Sequence, residues 1–362
     1  MKIIFTVTND LNYDQRMIRI CNSLCKAGYD VLLVGRKRKD SKPLVRKDFE
    51  QKRIILLFQK GFCFYAEYNI RLFFYLLFKK CDALCSIDLD TIIPVYFISL
   101  LKGKKRIYDA HEYFTQQIEI ISRPVVFKVW NKIEKTFVPK FNSGYTVNQS
   151  IAGIFKKKYN ITYPVIRNLP VKRELRQEAE SNRKFIYSGS VNEGRGFEQL
   201  IPAMKRVNTG LDIYGSGNFI EQVKSLIIRS GVEDKVFLKG YIFPEDLALI
   251  TSRYYAGITL FENTGLNQYL SLANRFFDYI QNGIPQICMD YPEYRRINEQ
   301  FEVAILIKEL KEDTVEEALN KLLNDTELRN KLAANCMVAR ETLNWQNEEP
   351  NLLQFYKDCL GK

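Results

Sequence analysis

The chain has 362 residues, enough for two domains of ordinary size, each with its own hydrophobic core. Hydrophobic residues make up 46% and charged residues 27%, values of a globular protein that exclude disorder as the default. Residues 1–170 hold 30 Lys and Arg against 14 Asp and Glu, a net charge of +16, whereas residues 171–362 hold 24 against 28, a net of −4. Charge confined to one half indicates an anionic partner there: nucleic acid, an acidic membrane face or a phosphate-bearing acceptor. A merely solvated basic surface is the alternative.

Targeting and membrane signals point to a cytoplasmic protein. Lys2 is followed only by the short apolar run 3–5, and the stretch nearest to a membrane span, residues 91–101, is short and contains a proline. The eight cysteines are scattered without zinc-site spacing, so we expect buried free thiols.

In the first half, short β-branched runs alternate with helical spacing. A helix is predicted over residues 15–27, ended by Gly28. Strands are predicted at residues 3–7, 31–34, 54–57, 83–87, 106–108 and 144–147. Strands that alternate with helices predict parallel βαβ units.

Residues 163–170 contain two prolines and are typical of an interdomain connection, with the polar stretch 172–183 after them. The alternation then restarts, with strands predicted at 185–187, 211–214, 236–238, 256–261 and 285–289, and helices over 196 to about 206, from about 218, and across 276–281. Two Rossmann-like halves predict a deep cleft between them. A last helical stretch, about residues 348–360, could pack back on the first domain.

Two glycine turns in the second half predict a phosphate site. Ser188-Gly189-Ser190 follows a strand and Gly194-Arg195-Gly196 opens a helix, while Gly215-Ser216-Gly217 repeats the pattern after the next strand. Glycines let backbone N–H groups approach an anion, a helix N-terminus adds positive charge, and Arg195 could hold a diphosphate. Ordinary strand–helix turns are the alternative.

The predicted helix before Gly283 carries Asp278 near its middle, with Asn274 and Arg275 one turn earlier. A carboxylate there suits a ribose diol because it accepts two hydroxyl protons, and an anion would lie near the helix N-terminus.

The chain has one histidine, His111, which follows a predicted strand. Parallel α/β sheets place their chemistry at the carboxyl ends of strands, where a histidine can donate to a developing charge. Capping the next helix is the alternative.

These motifs resemble the donor domain of the retaining glycosyltransferases of family 4, which have the GT-B architecture: two Rossmann-like α/β domains facing each other across a deep cleft. The resemblance rests on Gly-Ser-x-x-x-x-Arg-Gly from Gly189, Tyr-Gly-Ser-Gly from Tyr214, and Asn-Arg-x-Phe-Asp-Tyr-x-x-x-Gly-x-Pro from Asn274. Residues 123–148 are similar to bacterial envelope-polysaccharide members. The resemblance implies an acceptor domain over 1–165 and a donor domain over 166–345, and from its position we expect a C-terminal helix over 346–362 that packs back on the N-terminal domain.

Residue roles follow from the resemblance. It implies that Arg195 binds the donor diphosphate and that His111 lies near the donor sugar, the two catalytic positions. Asp278 takes the place of a ribose-binding glutamate, and Asn274 and Arg275 take the place of an Asn-Lys pair near the phosphates. Further donor contacts are implied for Gly189, Ser190, Gly196, Gly215, Ser216 and Gly217. Acceptor-side loops are implied to include Asn9, Asp10, Arg16, Asp109 and Glu112.

The chain departs from the family pattern at two positions. The family's first carboxylate would fall at Leu270, and Glu262 is the nearest upstream acid that could replace it if the loop is longer. Ser190 stands where a basic residue usually follows the first glycine, so phosphate binding would depend on Arg195 and Arg275.

Asp88 and Asp90 could together hold a divalent cation. A capped strand end explains them adequately, and positive side chains can neutralise a leaving diphosphate without a metal. We therefore expect no metal and no cofactor besides the donor.

Residues 68–80 are aromatic and flanked by bases, which suits either a membrane-surface helix or a buried Rossmann helix. Basic clusters at 102–106 and 156–158 favour an anionic bilayer or a lipid-diphosphate acceptor. No base-reading module indicates nucleic acid.

The resemblance therefore implies a cytoplasmic enzyme, peripheral on the inner face of the membrane. It would move a sugar from a nucleotide diphosphate sugar to a lipid-linked or polysaccharide acceptor with retention of configuration. One alternative is a nucleotide-sugar epimerase or hydrolase of the same fold, which needs more acid–base groups than one histidine offers. Another is a non-catalytic assembly partner, which the missing first carboxylate would suit.

Overall fold

A computed structural model describes residues 1–175 and 182–361 of the chain. Part of the predicted polar stretch 172–183, and the last residue of the predicted segment 346–362, lie outside the described residues. The chain divides into two compact units, Met1–Asn168 with Glu348–Lys362, and Leu169–Asn347. The sequence places the two boundaries at 165 and 345.

The first unit is built on a parallel sheet. Its described residues form six strands in the order β3-β2-β1-β4-β5-β6. The strands are β1 (Lys2–Thr6), β2 (Asp30–Arg36), β3 (Glu50–Ile54), β4 (Ala83–Ile87), β5 (Lys105–Ala110) and β6 (Ser143–Thr146). The helices are α1 (Gln15–Lys26), α2 (Gly61–Leu77), α3 (Ile92–Lys102), α4 (Ile118–Ile121), α5 (Pro124–Phe137) and α6 (Gln149–Tyr159).

The second unit repeats this plan. Its described residues form six parallel strands in the order β12-β11-β10-β7-β8-β9. The strands are β7 (Asn182–Ser188), β8 (Leu211–Tyr214), β9 (Val236–Gly240), β10 (Tyr254–Thr259), β11 (Gln286–Met289) and β12 (Ala304–Ile307). The helices are α7 (Phe197–Ala203), α8 (Ile220–Ser230), α9 (Pro244–Ile250), α10 (Leu266–Tyr269), α11 (Asn274–Gln281), α12 (Pro292–Phe301), α13 (Glu312–Asn324) and α14 (Thr326–Thr342).

The last helix, α15 (Trp345–Leu360), begins in the second unit's segment and ends in the first unit's. Its C-terminal part packs in the first unit: the Tyr356 hydroxyl lies 3.2 Å from that of Tyr145, and the Tyr356 ring contacts Phe5 with centroids 6.0 Å apart. These contacts are buried, so the end of the chain contributes to the first unit's core.

Local sequence explains why the helices begin and end where they do. The Asp14 carboxylate accepts a hydrogen bond from the Met17 N–H at 3.0 Å and caps α1. Gly28, with a positive φ of 83°, follows the helix. Burial of both faces explains the apolar central strands, since all five residues of β4 are buried.

The predicted strand at 54–57 is wrong. The strand is Glu50–Ile54, at the sheet edge, where charged residues alternate with partly buried ones. The apolar residues after it leave the sheet, and the N–H groups of Leu57 and Phe58 donate to the Glu67 carboxylate instead. The predicted helix over 196–206 is also shorter: α7 ends at Ala203, and a 3₁₀ turn continues to Arg206.

Residues 68–80 were predicted to form either a membrane-surface helix or a buried Rossmann helix, and helix α2 has features of both. One face, with Phe64, Tyr68, Leu72 and Leu76, is buried as in a Rossmann helix. The opposite face exposes the apolar residues Phe62, Ile70, Phe74 and Phe78, together with Arg71, which pairs with Glu67. Over the described residues, no helix is both long and apolar enough to cross a bilayer.

Candidate functional site

The two glycine turns of the second unit lie side by side. Strands β7 and β8 are neighbours, and their last residues, Ser188 and Tyr214, are paired in register. Gly189 and Gly215 therefore begin their turns at the same level of the sheet, at its carboxyl edge. In an open parallel α/β sheet, this edge is where ligands bind.

The glycines act differently from the prediction. The Gly189 N–H donates to Tyr214 O at 2.9 Å, and the Gly215 N–H donates to Gly240 O at 2.8 Å, so both amides continue the sheet's hydrogen bonding. The expectation that these two amides hold a phosphate is therefore not met. Glycine is required at these positions because there is no room for a side chain. A Cβ on Gly215 would lie 1.7 Å from Gly189 O, and one on Gly217 would lie 2.1 Å from Val191 O.

Two arginines converge on one aromatic ring beside these turns. The guanidinium carbon of Arg195 lies 4.6 Å from the Phe261 ring centroid, and that of Arg275 lies 4.9 Å from it. Arg275 also lies over Tyr187, at 4.2 Å. Both positions come from the sequence motifs, whereas Phe261 and Tyr187 were missed. Their only sequence signal is that each lies at or near the end of a strand.

Arg275 is placed for an anion. A Cβ on Gly189 would lie 3.7 Å from the Arg275 guanidinium carbon, so the glycine leaves space in front of the group. Arg275 is only 7% exposed, and its Nη1 has no hydrogen-bond partner among the described residues. Burial would lower the pKa of Arg275, but Tyr187 and Tyr279 outweigh it and raise that pKa. The group stays charged.

Tyr279 fixes α11 against the sheet. Its ring packs on Gly257, where a Cβ would lie 2.3 Å from the ring. Its hydroxyl accepts from the Ser188 N–H at 3.0 Å and donates to Ile186 O at 3.2 Å. Because Arg275 lies one turn earlier on the same helix, these contacts set the position of its guanidinium group against Gly189. Tyr279 belongs to the motif that begins at Asn274, but the sequence does not predict this role for it.

The remaining predicted donor residues lie on α11 and in the loops that follow β7, β8 and β10. Asp278 is half-buried and Asn274 is exposed, and both lie on α11, one turn apart. The Glu262 N–H donates to Gly194 O at 3.0 Å, which places Glu262 beside the turn that carries Arg195. Burial, with Glu198 and Glu193 nearby, raises the pKa of Glu262. Ser190 and Ser216 are exposed, and Gly196 is buried.

In the first unit, His111 lies at the carboxyl end of β5 against Asp109. Its Nε2 is 3.0 Å from Asp109 Oδ2, and its backbone N–H donates to Asp88 Oδ1 at 2.8 Å. Burial would lower the pKa of His111, but the Asp109 charge outweighs it and raises the pKa. His111 therefore carries a proton more readily than an exposed histidine.

Asp109 and Arg16, predicted on the acceptor side, form a buried ion pair. Arg16 Nη2 donates to Asp109 Oδ1 at 3.1 Å, and Nη1 donates to Ile166 O at 3.1 Å. Burial would raise the pKa of Asp109, but Arg16 and His111 hold it below its usual value. We infer that this pair supports His111 and does not itself reach a ligand, because Asp109 is fully buried.

The other predicted acceptor-side residues are either buried in structural contacts or exposed at the surface. Asp10 is buried and accepts hydrogen bonds from Arg53, Ser41 and the Asn12 N–H, so it holds a loop in place. Asn9 is exposed and donates to the Asp14 carboxylate at 3.0 Å. Exposed Glu112 accepts from Gln117 at 2.8 Å.

The predicted aspartate pair forms an acidic corner in which Asp90 is buried and Asp88 is half-buried. Asp88 has a positive φ of 52° and follows β4. Burial raises the pKa of Asp88 well above its usual value, and burial raises the pKa of Asp90 to about 6, despite the hydrogen bond from Thr8. Among the described residues, no group of three or more His, Cys, Asp or Glu is arranged to hold a metal ion.

The architecture is that of the GT-B class of glycosyltransferases, as the sequence predicts. Sucrose-phosphate synthase from Thermosynechococcus elongatus has the same fold, with a TM-score of 0.80 and 13% identity, covering 100% of this chain and 99% of that chain. Anabaena HepE, solved in complex with UDP, has a TM-score of 0.78 and 12% identity, and the match covers 99% of this chain and 100% of that chain. WaaG, a glycosyltransferase involved in lipopolysaccharide biosynthesis, has a TM-score of 0.75 and 14% identity, and the match covers 98% of this chain and 99% of that chain.

Residues 171–336, which lie in the second unit, match the family model described as "Glycosyl transferases group 1". No curated protein matches the chain significantly in sequence. The family match and the fold together support a glycosyltransferase.

Proposed function

We propose that the protein is a retaining glycosyltransferase that moves a sugar from a nucleotide diphosphate sugar to a lipid-linked or polysaccharide acceptor at the cytoplasmic face of a membrane. The observation that carries the proposal is the convergence of Arg195 and Arg275 on Phe261, beside the space that Gly189 leaves open. The UDP complex of HepE supports a nucleotide as the first ligand to test.

Electrostatics explains why this point suits a diphosphate. Two guanidinium groups that are partly or fully withdrawn from water repel each other, and a ligand with two negative charges removes that repulsion. Guanidinium groups also bind phosphate oxygens in a planar, bidentate geometry that a lysine cannot provide.

The same charges serve catalysis. When the bond between the anomeric carbon and the phosphate oxygen breaks, negative charge grows on the departing diphosphate, and Arg195 and Arg275 stabilise it. The acceptor hydroxyl forms the new bond on the same face of the sugar, and its proton passes to the departing phosphate oxygen. No metal is part of this proposal.

We assign His111 to a hydrogen bond with a hydroxyl of the donor sugar. The raised pKa of His111 favours the charged form, which is the stronger donor. Asp109, held by Arg16, places its negative charge 3.0 Å from Nε2 of the ring.

Calorimetry with UDP and with UDP-sugars tests the donor site. We expect the unmutated protein to bind, and Arg275→Gln to bind roughly tenfold or more weakly, because it loses a charge-assisted phosphate contact. Arg329→Gln is a matched control, since Arg329 lies 4.9 Å over Tyr255 in the same unit but outside the glycine turns. Equal affinity in all three proteins would refute the assignment.

Two further measurements separate the alternatives. Incubation with the donor alone detects an epimerase or hydrolase, which turns over without an acceptor. Incubation with membrane extract and a labelled donor, followed by NMR of the new linkage, reports both transfer and anomeric configuration. A protein that binds the nucleotide but transfers nothing to any acceptor would be a non-catalytic partner, which the apolar Leu270 suits.

A further inference from the structure

The outward face of α2 is an exposed apolar stripe. Phe62, Ile70, Phe74 and Phe78 follow one another at multiples of four residues, so they line one side of the helix and its C-cap. They are 78%, 59%, 56% and 82% exposed. The opposite side of α2 is already buried in the core through Tyr68 and its neighbours, so the fold does not need the stripe.

The apolar surface extends beyond α2. The Lys102 ammonium group donates to Leu76 O at 2.9 Å and to Lys79 O at 2.6 Å, which ties the C-terminal ends of α2 and α3 together. On α3, Leu100 and Leu101 are more than half exposed. Scattered single apolar side chains are ordinary on a protein surface, but several exposed apolar side chains grouped on one helix and at the adjacent end of the next indicate an interaction site.

Basic residues border the patch at this end. Lys79, Lys80, Lys104 and Lys105 are exposed in the segments that follow α2 and α3. The nearby Asp82 carboxylate lies 3.8 Å from Lys104 and accepts a hydrogen bond from the Lys2 N–H, so it is already engaged. On the helix itself, Glu67 is occupied by Arg71 and by the Leu57 and Phe58 amides.

We propose that this face, the α2 stripe with its lysine border, docks on an anionic lipid bilayer. A helix with aromatic and aliphatic side chains on one face lies in the bilayer interface, and lysines at its border contact lipid phosphates. The net charge of +16 over residues 1–170 has the sign that an anionic surface requires. A protein groove would explain the stripe but not the lysine border.

Docking along α2 also gives an acceptor a route. Helix α2 begins at the carboxyl edge of the sheet, the edge at which Asp88 and His111 lie, and exposed Leu57 and Phe58 occupy the preceding loop. A lipid-linked acceptor could keep its tail in the bilayer while its head group reaches that edge. This acceptor route rests on the proposed function, whereas the docking of α2 on a bilayer does not.

Vesicle co-sedimentation tests the docking. We expect binding to phosphatidylcholine vesicles that contain phosphatidylglycerol, weaker binding to phosphatidylcholine alone, and partial loss at high salt. The double variant Phe74→Gln with Phe78→Gln should bind roughly tenfold or more weakly, and the triple variant Lys79→Gln, Lys80→Gln, Lys104→Gln should lose the preference for anionic lipid.

Matched controls stand in the second unit. Ile228→Gln and Val338→Gln remove exposed apolar side chains of comparable exposure, and Lys205→Gln with Lys321→Gln removes exposed lysines. None should change vesicle binding. Equal binding by the stripe variant and the unmutated protein, or no binding by either, would overturn the proposal. So would an unmutated dimer that the stripe variant converts to a monomer, because the face would then join two copies of the chain.

A gain-of-signal variant covers the case in which the glutamine variant fails to fold. Phe78→Trp keeps the stripe apolar, whereas the native Trp130 and Trp345 are buried. Its fluorescence should shift to the blue with vesicles and be quenched by brominated lipid, and unchanged emission would refute the docking. UDP calorimetry on the same proteins separates the two proposals: vesicle binding without nucleotide binding rejects sugar transfer but not docking.

Discussion

Arg195 and Arg275 contact the same ring, that of Phe261, although one lies in the turn before α7 and the other in the first turn of α11. The ring's electron-rich face attracts both cations and offsets part of their repulsion. Phe261 is itself held, because the Tyr291 hydroxyl donates to its carbonyl at 2.7 Å. The ring therefore sets the spacing of the two charges before any ligand arrives.

Phe261→Leu tests whether the ring organises the arginines. We expect UDP affinity to fall roughly threefold to tenfold, since both cation–ring contacts are lost. The stability cost should be about 1–2 kcal/mol from the repacked core. Tyr255→Leu is the control, because Tyr255 lies under Arg183 and Arg329 instead. Calorimetry and denaturant unfolding of both variants give the comparison, and a matching loss of UDP affinity in the control would argue against a specific role.

Gly215→Ala tests the close contact of the two glycine turns. A Cβ would meet Gly189 O at 1.7 Å, and φ is positive at 149°, so backbone must move. We expect destabilisation of about 3 kcal/mol or more together with lost UDP binding. Gly153→Ala is the contrast: nothing lies within 4 Å of its Cβ on α6, so it should stabilise by about 0.5–1 kcal/mol. Thermal unfolding that ranks the two variants in the other order would contradict the packing argument.

Secondary-structure elements with a clear local pattern could be predicted from the sequence. Features that depend on residues distant in the chain could not. The buried strand β4 was predicted as it stands because its apolar run matches a strand covered on both faces. Edge strand β3 was misplaced because its charged residues do not resemble a core strand.

Site residues follow the same rule. Motif spacing identified Arg195 and Arg275, but the ring they share comes from another part of the chain. Asp10 and Asp109 look like binding residues in sequence, yet each is buried against an arginine, Arg53 or Arg16, that only the fold brings near.

Asp90→Asn tests the acidic corner through pH. The pKa of Asp90 is raised to about 6 by burial, so its protonated form stabilises the fold at low pH, and that contribution is lost as pH rises through about 6. Asparagine stays neutral, so the variant should exceed the unmutated protein in stability at pH 8 by roughly 1–3 kcal/mol and match it near pH 4. Denaturant unfolding at both pH values decides this.

Asp10→Asn is a control that should change the free energy of unfolding at pH 8 in the opposite direction. It removes the partner of buried Arg53, so it should destabilise at pH 8 by about 3–5 kcal/mol. If Asp90→Asn instead lowers stability equally at both pH values, Asp90 does not titrate with the fold.

His111 offers a direct measurement because the chain has a single histidine, whose ring signal in an NMR titration needs no assignment. We expect a pKa above the usual 6.5, since the Asp109 charge outweighs burial. Asp109→Asn should lower that pKa, whereas Arg16→Gln should raise it further, because Arg16 opposes the histidine's charge. The sign for stability follows: the His111–Asp109 pair stabilises the fold fully below pH 6.5, and this contribution is lost as pH rises through the raised pKa. A pKa that moves in the same direction in both variants would show that neither charge acts on the ring, and that a general loosening of the loop accounts for the shift.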